Sequence, residues 1–385
     1  MLRTKTILLL FLILIMLSSC IKSFNPGIRS KDVNKLVITG QVTDGEGSQT
    51  INISWTSPID DPHYIPITGC SAKILDDKGN KFTMSDAGNG DYNTWIDPVY
   101  LISGNSFMLE VITPSGDTIR SGFDQLSDCP EVDSVYFLRK DIEGSNPGQV
   151  TRGIRFYIDM NGEATDSHYY RWDLVETWEY HSAYPLEWYY DGTVHHIFPP
   201  DYSRNICWTS KKVPDIITLS TDLLAENKYK MLPLHYVSNR TPRLMYGYSL
   251  LIKQYALSAA AYIYWDQMSI NSSQQGGLYT SQPLPIKGNM HNLTHPEFEV
   301  LGFFGATSMK TKRIFVQNVE GLTLDFTTFC SIPPPNRRGF QEYSPSDYPV
   351  YLYKFEPGKV VELSEDCVNC IKMGGTTEKP DFWPN

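Results

Sequence analysis

The most specific chemical motif in the sequence is a cysteine pair near the carboxyl end, Cys367-Val368-Asn369-Cys370. A CxxC pair exchanges disulfides when it begins a helix in a thioredoxin-like unit, and it binds zinc when a second ligand pair is present. Here the pair lies in a coil-like tail, and the sequence contains no second CxxC and no HxH. Structural disulfides are therefore favoured, with one cysteine bonded to Cys207 and the other to Cys330 in an order that the sequence leaves open.

The end of the tail supports the same interpretation. Phe382 and Trp383 are costly to leave in water, and burying each large side chain stabilises by roughly 1.5–3 kcal/mol. A short coil cannot keep them docked against its own entropy without a covalent link. A bond within the Cys367–Cys370 pair would anchor nothing, so we expect each cysteine to reach back to the body of the protein.

Other motifs that would identify an enzyme are missing from the sequence. His195-His196 and His291-x-x-x-His295 are its only histidine clusters, and neither forms HExxH; surface loops are the default interpretation of both. GxSxG, SxxK, P-loop and GxGxxG motifs are also absent. We therefore expect a protein that is not an enzyme and that holds no metal and no cofactor.

Glu176 is an acidic residue on the apolar face of the best strand in the chain, HYYRWDLVETWEY at 168–180. Two interpretations remain open. It could be a buried acid with a functional pKa. It could also be a carboxylate near a strand end, paired with an arginine or a backbone donor, as is more common.

The segment that follows this strand is rich in aromatic residues. Such side chains could stack on sugars or form a hot spot for a protein partner, and the competing interpretation is that they pack the sandwich and cover its edge. The candidates for partner or ligand binding are Tyr184, Trp188, Tyr189, Tyr190 and Phe198.

The amino-terminal sequence predicts the cellular location of the protein. Arg3 and Lys5 precede an apolar run that ends in Leu17-Ser18-Ser19-Cys20, which is the layout of a secretory signal. A cysteine directly after Leu-Ser-Ser resembles a bacterial lipoprotein signal, in which the cysteine is acylated and begins the mature chain. We expect a signal peptide at 1–19, a lipidated Cys20 and a polar tether at 20–34, with the protein attached to a membrane through acyl chains.

The net charge and the cysteine count limit the kinds of protein that this sequence can encode. The net charge of −10 argues against nucleic-acid binding, because counterion release requires basic residues. Seven cysteines are present, and the six that remain beside Cys20 suggest three disulfides in an oxidising compartment. Cys70 and Cys129 both lie in the first third of the chain, so we expect them to pair.

Strand patterns predict an all-β fold in two parts. Residues 35–128 contain short strands with turn signals between them, such as Asp76-Asp77-Lys78-Gly79-Asn80, and predict a small β-sandwich of the transthyretin or carboxypeptidase-regulatory kind. Residues 131–385 predict a larger β-sandwich-like domain, closed by the disulfide-linked tail. Its one helix, near 259–271, follows a Ser258 cap and is apolar almost all round, which predicts burial. The segment EVLGFFGATSMKTKRIFV predicts two strands joined near Thr307 to Lys312.

Several short motifs occur in a recognisable order across the second part. They are Tyr248-Ser249, Gln254-Tyr255, Leu257-Ser258, Tyr264-Trp265, Gln282-Pro283, Gly288-Asn289, Val300-Leu301-Gly302-Phe303-Phe304, Lys312-Arg313-Ile314-Phe315, Cys367-x-x-Cys370, Gly374-Gly375-Thr376 and Lys379-Pro380-x-Phe382-Trp383. In this order and spacing the sequence resembles the DUF4249 family, a domain of unknown function found in lipoproteins of the Bacteroidetes. The resemblance covers nearly the whole mature chain.

The resemblance implies a cellular context rather than a reaction. Members of the family are outer-membrane lipoproteins, often encoded beside TonB-dependent transporters, and no catalytic residues are assigned to them. We therefore expect an accessory, capping or substrate-capture partner of such a barrel, lipid-anchored in the outer membrane and facing the cell surface rather than the periplasm. The alternatives are a structural subunit of an outer-membrane assembly or secretion complex and a glycan-active enzyme.

Overall fold

Two β-sandwiches built on one shared sheet make up most of the part of the chain that the structure describes. The computed structural model covers residues 35–45, 47–58, 61–144, 148, 150–273, 286–326, 330, 339, 342–356 and 359–384. Within these residues the protein is mostly strand with a single α-helix, as the sequence predicts. The expected signal peptide, Cys20 and the tether lie outside them.

The first part of the chain contributes ten strands. They are β1 (Leu36–Thr43), β2 (Ser48–Trp55), β3 (Ile65–Pro66), β4 (Ser71–Asp76), β5 (Lys81–Thr83), β6 (Ser85–Gly88), β7 (Asp91–Trp95), β8 (Ser106–Ile112), β9 (Thr118–Ser121) and β10 (Asp124–Gln125).

The remaining strands and the helix follow the predicted boundary between residues 128 and 131. They are β11 (Ser134–Arg139), β12 (Ile142–Glu143), β13 (Val150–Thr151), β14 (Gly153–Asn161), β15 (Tyr169–His181), β16 (Leu186–Tyr190), β17 (Val194–Asp201), β18 (Ile206–Lys212), β19 (Ile217–Ser220), β20 (Lys228–Ser238), β21 (Gly247–Ala256), α1 (Ala259–Ser273), β22 (Met290–Asn292), β23 (Val300–Leu301), β24 (Phe304–Val316), β25 (Val350–Glu356) and β26 (Lys359–Leu363).

The shared sheet has 11 strands and crosses that boundary. Its main order is β18-β15-β21-β24-β1-β2-β7-β6. The two halves join where β1 and β24 run parallel, with residues 40–43 opposite 304–307. Each half is covered by a second sheet, the first by β22-β9-β8-β4-β5 and the second by β11-β14-β20.

Alternating side chains fill a separate core in each sandwich. Residues i and i+2 of a strand point to the same face of a sheet, so each half can bury one face. The first core includes Ile38, Ile53, Tyr92, Phe107 and Leu109. The second includes Phe156, Trp172, Leu174, Tyr248 and Ile252.

The predicted division of the segment 299–316 into two strands joined near Thr307 to Lys312 is wrong. β24 runs unbroken, because residues 304–307 pair with β1 while residues 308–316 pair with β21. The strand therefore changes partner instead of ending. The break lies earlier, at Gly302, whose φ is +100° and where a Cβ atom would lie 2.0 Å from the carbonyl oxygen of Ile38.

Helix α1 begins as the sequence predicts and is buried on one side only. The Ala261 amide donates to Ser258 Oγ at 3.1 Å, which confirms the cap. Ala261 and Tyr264 are buried, but Ile263 is 56% exposed, so the prediction of a buried helix holds for one face. The apolar residues are spread around the helix, whereas the sheet covers only one side of it. Among the described residues no helix combines the length and apolarity needed to cross a bilayer.

The C-terminal tail is linked to the body by two disulfides. Cys207 bonds to Cys370 and Cys330 bonds to Cys367, which confirms that each tail cysteine reaches back and settles the order. Past the disulfides, the amides of Trp208 and Thr376 donate to each other's carbonyls at 2.8 and 3.0 Å.

The aromatic residues at the end of the tail dock unequally. Trp383 is 8% exposed and its Nε1 donates to Glu179 Oε2 at 3.1 Å. Phe382 remains 40% exposed, with the Arg313 guanidinium 3.5 Å from its ring centroid. Burial of Trp383 agrees with the prediction, whereas Phe382 is only partly covered.

The predicted Cys70–Cys129 bond does not form, because the two thiols have different neighbours. Cys70 packs against the first core, and its amide donates to the Tyr92 hydroxyl at 2.9 Å. Cys129 is buried beside β21, where its Sγ donates to the Gln254 carbonyl at 3.4 Å. Burial raises the pKa of the Cys129 thiol to about 12, so it stays protonated and unreactive.

An ion pair ties the turn between β8 and β9 to the segment that follows β22. His295 Nδ1 lies 2.5 Å from Asp117 Oδ1, and β22 adds to the edge of the first sandwich by pairing with β9. The hydrogen bond to Asp117 raises the pKa of His295, and the same bond lowers the pKa of Asp117.

We expect this pair to be strongest in mildly acidic solution. The raised pKa of His295 gives stabilisation that is full below its ordinary value of 6.5 and is lost as pH rises through the folded pKa. The lowered pKa of Asp117 gives stabilisation that is present above 3.8 and is lost as pH falls through the folded pKa. NMR titration should therefore give His295 a pKa above 6.5 that falls towards 6.5 in Asp117→Asn. Asp86→Asn, on the same sandwich, should leave the titration of His295 unchanged; an unchanged pKa in Asp117→Asn contradicts the assignment.

Candidate functional site

The aromatic-rich segment forms a small sheet of its own beside the second sandwich. Strands β17-β16-β25-β26 pair in that order, and all of the pairs are antiparallel. β17 is therefore an edge strand. Pro199 and Pro200 in its second half have no N–H to offer another strand, which protects that part of the edge from further pairing.

One side of this sheet carries an exposed apolar surface. Trp188 lies directly opposite His196 in the β16–β17 register, so their side chains share a face, and Val194 and Phe198 join them by alternation. The Trp188 and His196 rings stack with centroids 3.9 Å apart and planes 8° apart. Phe198 is 83% exposed. We call Trp188, Val194, His196, Phe198 and Lys354 the aromatic face.

Lys354 adds a cation to this surface. Its Nζ lies 5.0 Å from the centroid of the Trp188 ring, within the range of a cation–π contact. His196 Nε2 lies 3.4 Å from Glu187 Oε1, so both charge signs occur at the rim. An apolar centre with a charged rim is the usual anatomy of a protein-binding surface.

Of the other predicted aromatic residues, Tyr190 lies on the same side of the sheet as Trp188, opposite Val194, whereas Tyr189 does not. Tyr189 stacks on His195 on the opposite side of the sheet, with centroids 4.5 Å apart. Asp191 Oδ1 lies 2.7 Å from His195 Nε2, and this hydrogen bond lowers the pKa of Asp191. The hairpin is thus held by ring stacking and a charged contact, independently of any partner.

Two of the five candidates are partly structural. Tyr184 packs against a small core made by Cys330, Leu363, Cys367 and Val368, and its ring lies 4.5 Å from that of Tyr353. Tyr190 makes an edge contact with Tyr348 at 5.4 Å. Phe198 therefore remains as the exposed candidate, beside a half-buried Trp188, while Tyr184 packs in the small core.

Sequence reasoning missed Val194 and Lys354. Val194 could have been found by alternation from Phe198, since both lie on one strand. Lys354 could not, because it comes from β25, more than 150 positions later, and only the pairing of Trp188 with Leu352 brings it to the same face.

Glu176 lies in the middle of β15 and belongs to a buried polar cluster. It is 4% exposed. Its Oε2 accepts from the Tyr248 hydroxyl at 3.2 Å and lies 3.3 Å from Arg243 Nη1 and 3.4 Å from His235 Nε2. The interpretation as an arginine-paired carboxylate is confirmed, although the residue is not near a strand end. Burial, followed by the charge of Glu176, raises the pKa of Tyr248 well above its usual range.

The other chemical motifs are not assembled into a centre in the described part of the chain. Both cysteines of the CxxC pair are in disulfides, which removes their redox and zinc interpretations. His195 and His295 each contact one aspartate, Asp191 and Asp117. Across the described residues, no group of three or more His, Cys, Asp or Glu side chains is placed to hold a metal ion.

Comparison with solved structures finds distant likenesses. A DUF4785 family protein of Legionella pneumophila matches 56% of this chain and 51% of its own length, at 10% identity and a TM-score of 0.17. Trypsin-activated alpha-2-macroglobulin of Escherichia coli matches 59% of this chain and 15% of its own length, at 12% identity and a TM-score of 0.20. The chain thus spans about half of the first protein and a small part of the second.

A third match has the same low similarity. It comes from a structure of manganese lipoxygenase of Gaeumannomyces graminis with part of zonadhesin of Komagataella pastoris, and it covers 58% of this chain at 10% identity and a TM-score of 0.17. Scores this low support no conclusion about fold or function.

Comparison with families gives a definite result. No curated protein matches the sequence. A family model does, over residues 21–313, which is more than half of the chain, and it includes β1 to β23 and most of β24. The chain belongs to the family described as Domain of unknown function (DUF4249).

Proposed function

We propose that this chain is a non-enzymatic outer-membrane lipoprotein that serves as an accessory or substrate-capture partner of a TonB-dependent transporter. Acyl chains on Cys20 hold it to the membrane, on the cell-surface side. The observation that carries the proposal is the aromatic face, which exposes the apolar side chains of Val194 and Phe198 beside the half-buried Trp188. An exposed Phe next to a stacked Trp is costly to maintain in water and is typical of binding hot spots.

The position of the aromatic face suits docking. It lies on a four-stranded sheet separate from the 11-stranded sheet of the two sandwiches. The Cys330–Cys367 disulfide lies in the small core against which Tyr184, Tyr351 and Tyr353 of this region pack. A rigid surface loses little conformational entropy on binding, so more of the contact energy appears as affinity.

The test is co-purification of the intact chain, expressed at its native level and extracted in mild detergent without crosslinker. We expect a TonB-dependent barrel to co-elute, and we expect Trp188→Ala with Phe198→Ala to reduce its recovery by at least about tenfold, since hot-spot residues contribute about 2 kcal/mol or more each. Trp95→Ala is the matched control, because Trp95 is 67% exposed on the first sandwich.

Recovery of the wild-type protein alone would refute the partnership. Equal recovery of barrel by the double variant and by Trp95→Ala would refute docking through the aromatic face. Depletion of the protein distinguishes a transporter partner from an assembly subunit. Loss of uptake of one nutrient supports the transporter role, whereas loss of many barrels indicates an assembly subunit.

A further inference from the structure

A groove runs between the two sandwiches, away from the aromatic face. One wall is formed by neighbouring residues of β1 and β2, 39–41 and 50–52. The other comes from β15, the segment after β18, and α1. Its volume is about 340 Å³. Grooves between packed units are common places for small ligands.

Arg171 lines this groove and has one hydrogen-bond donor without an acceptor in the described part of the chain. It is only 3% exposed. Its Nη2 donates to Gln41 Oε1 at 3.0 Å and makes a longer contact of 3.5 Å with Asp173 Oδ2. Its Nε is buried and has no acceptor among the described residues. Buried donors without acceptors cost free energy, so further acceptor oxygens would stabilise this guanidinium.

Two aromatic rings hold Arg171 in place. Its Cζ lies 4.7 Å from the centroid of Tyr255 and 4.2 Å from that of Trp265, both within cation–π range. Trp265 is half-buried and lines the groove. The base of the groove is therefore a rigid polar group beside an aromatic ring.

The charges along the groove cancel. Lys212, whose side chain is 69% exposed, lies 3.5 Å from Asp173 Oδ2, and Asp215 adds a second, exposed carboxylate to the lining. Arg171 and Lys212 are thus balanced by Asp173 and Asp215. Such a lining has no net attraction for an anion or a cation, but it offers donors and acceptors side by side.

We propose that this groove binds a neutral, hydroxyl-rich ligand, a sugar of one or two rings. A hydroxyl group both donates and accepts, so it can accept from the Arg171 guanidinium and donate to the nearby carboxylates at the same time. The apolar face of a sugar ring can lie against Trp265. As a way to capture substrate for a transporter, this inference rests on the proposed function. Sugar binding itself requires only the isolated chain.

The experiment uses the mature chain without a transporter. Ligand-observed NMR would be recorded with glucose, galactose, mannose, N-acetylglucosamine, maltose, cellobiose and lactose at millimolar concentration, followed by calorimetry for any that bind. We expect at least one of these sugars to bind. We expect Trp265→Ala, and separately Lys212→Ala with Asp215→Ala, to weaken it about tenfold.

The last two substitutions are at exposed positions, so they test the site even if Trp265→Ala fails to fold. Phe198→Ala on the aromatic face is the control and should bind sugar as the wild type does. Three results overturn the inference: no sugar of the panel binds, binding is unaffected by the groove variants, or acetate and citrate bind while sugars do not. Failure here leaves co-purification with a barrel unaffected, so the two proposals fail separately.

Discussion

A variant with alanine at both Cys207 and Cys370 is expected to unfold with a free energy roughly 5 kcal/mol below that of the wild type. The bond joins residues 163 positions apart, and cutting so long a loop returns a large chain entropy to the unfolded state. Both cysteines are fully buried, so the substituted side chains gain no hydration in the folded state that could offset the loss. Denaturant unfolding of the two proteins, without reductant, measures the difference.

Two further variants compare this loss of stability with that from a shorter disulfide loop and from an unpaired cysteine. Alanine at Cys330 and Cys367 opens a loop of 37 positions and should cost roughly 4 kcal/mol. Cys70→Ala removes an unpaired, half-buried thiol and should change stability by less than about 1 kcal/mol. A Cys367–Cys370 bond found by non-reducing peptide mapping would contradict the linkage, as would a wild-type-like stability of the Cys207 and Cys370 variant.

Neutralising Glu176 is expected to have the second large effect, a loss of about 2–3 kcal/mol in the free energy of unfolding. Glu176→Gln keeps the shape of the side chain but removes the buried carboxylate charge that lies 3.3 Å from Arg243, whose side chain is 29% exposed. Removing one partner of this pair is more costly than removing both, because Arg243 then stays partly desolvated without its counter-charge. Denaturant unfolding at neutral pH is again the measurement.

Two controls test whether the loss comes from the buried position of Glu176 rather than from the removal of any carboxylate charge. Glu163→Gln removes an exposed carboxylate that pairs with Lys228 at 2.6 Å and should cost no more than about 1 kcal/mol. Glu176→Leu combined with Arg243→Met removes both charges and should recover much of the loss. If Glu176→Gln were as stable as Glu163→Gln, the cluster would not stabilise the second sandwich.

The disulfide variants also connect stability with the proposed docking. Cys330 and Cys367 lie in the small core against which Tyr184 and Tyr353 pack, behind the four-stranded sheet. Loosening that core should loosen the aromatic face, because Tyr353 and Leu363 of the same sheet pack in it. The Cys330 and Cys367 variant is therefore the one whose docking, as well as whose stability, should decline.

Local features of the fold follow from the sequence because their causes are local. The alternation of Tyr170, Trp172 and Leu174 predicts β15, since a strand repeats every two residues, and all three are buried in the second core. Ser258 predicts the start of α1 because a hydroxyl can accept from the first free amides of a helix. The attachment of the tail follows from the cysteine pair and from the cost of exposing Trp383.

The tertiary structure alone decided which distant residues meet. Cys70 and Cys129 are close in sequence but have different neighbours, so they stay thiols, whereas Cys207 reaches a partner 163 positions away. The parallel pairing of β1 with β24 creates the sheet that the two sandwiches share, but it has no local signal in the sequence. Hydrophobic periodicity specifies which face of a strand is buried and not which strand lies beside it. For the same reason the sequence could mark Trp188 and Phe198, but only folding could place Lys354 beside them and bring Arg171 and Trp265 together at the base of a groove.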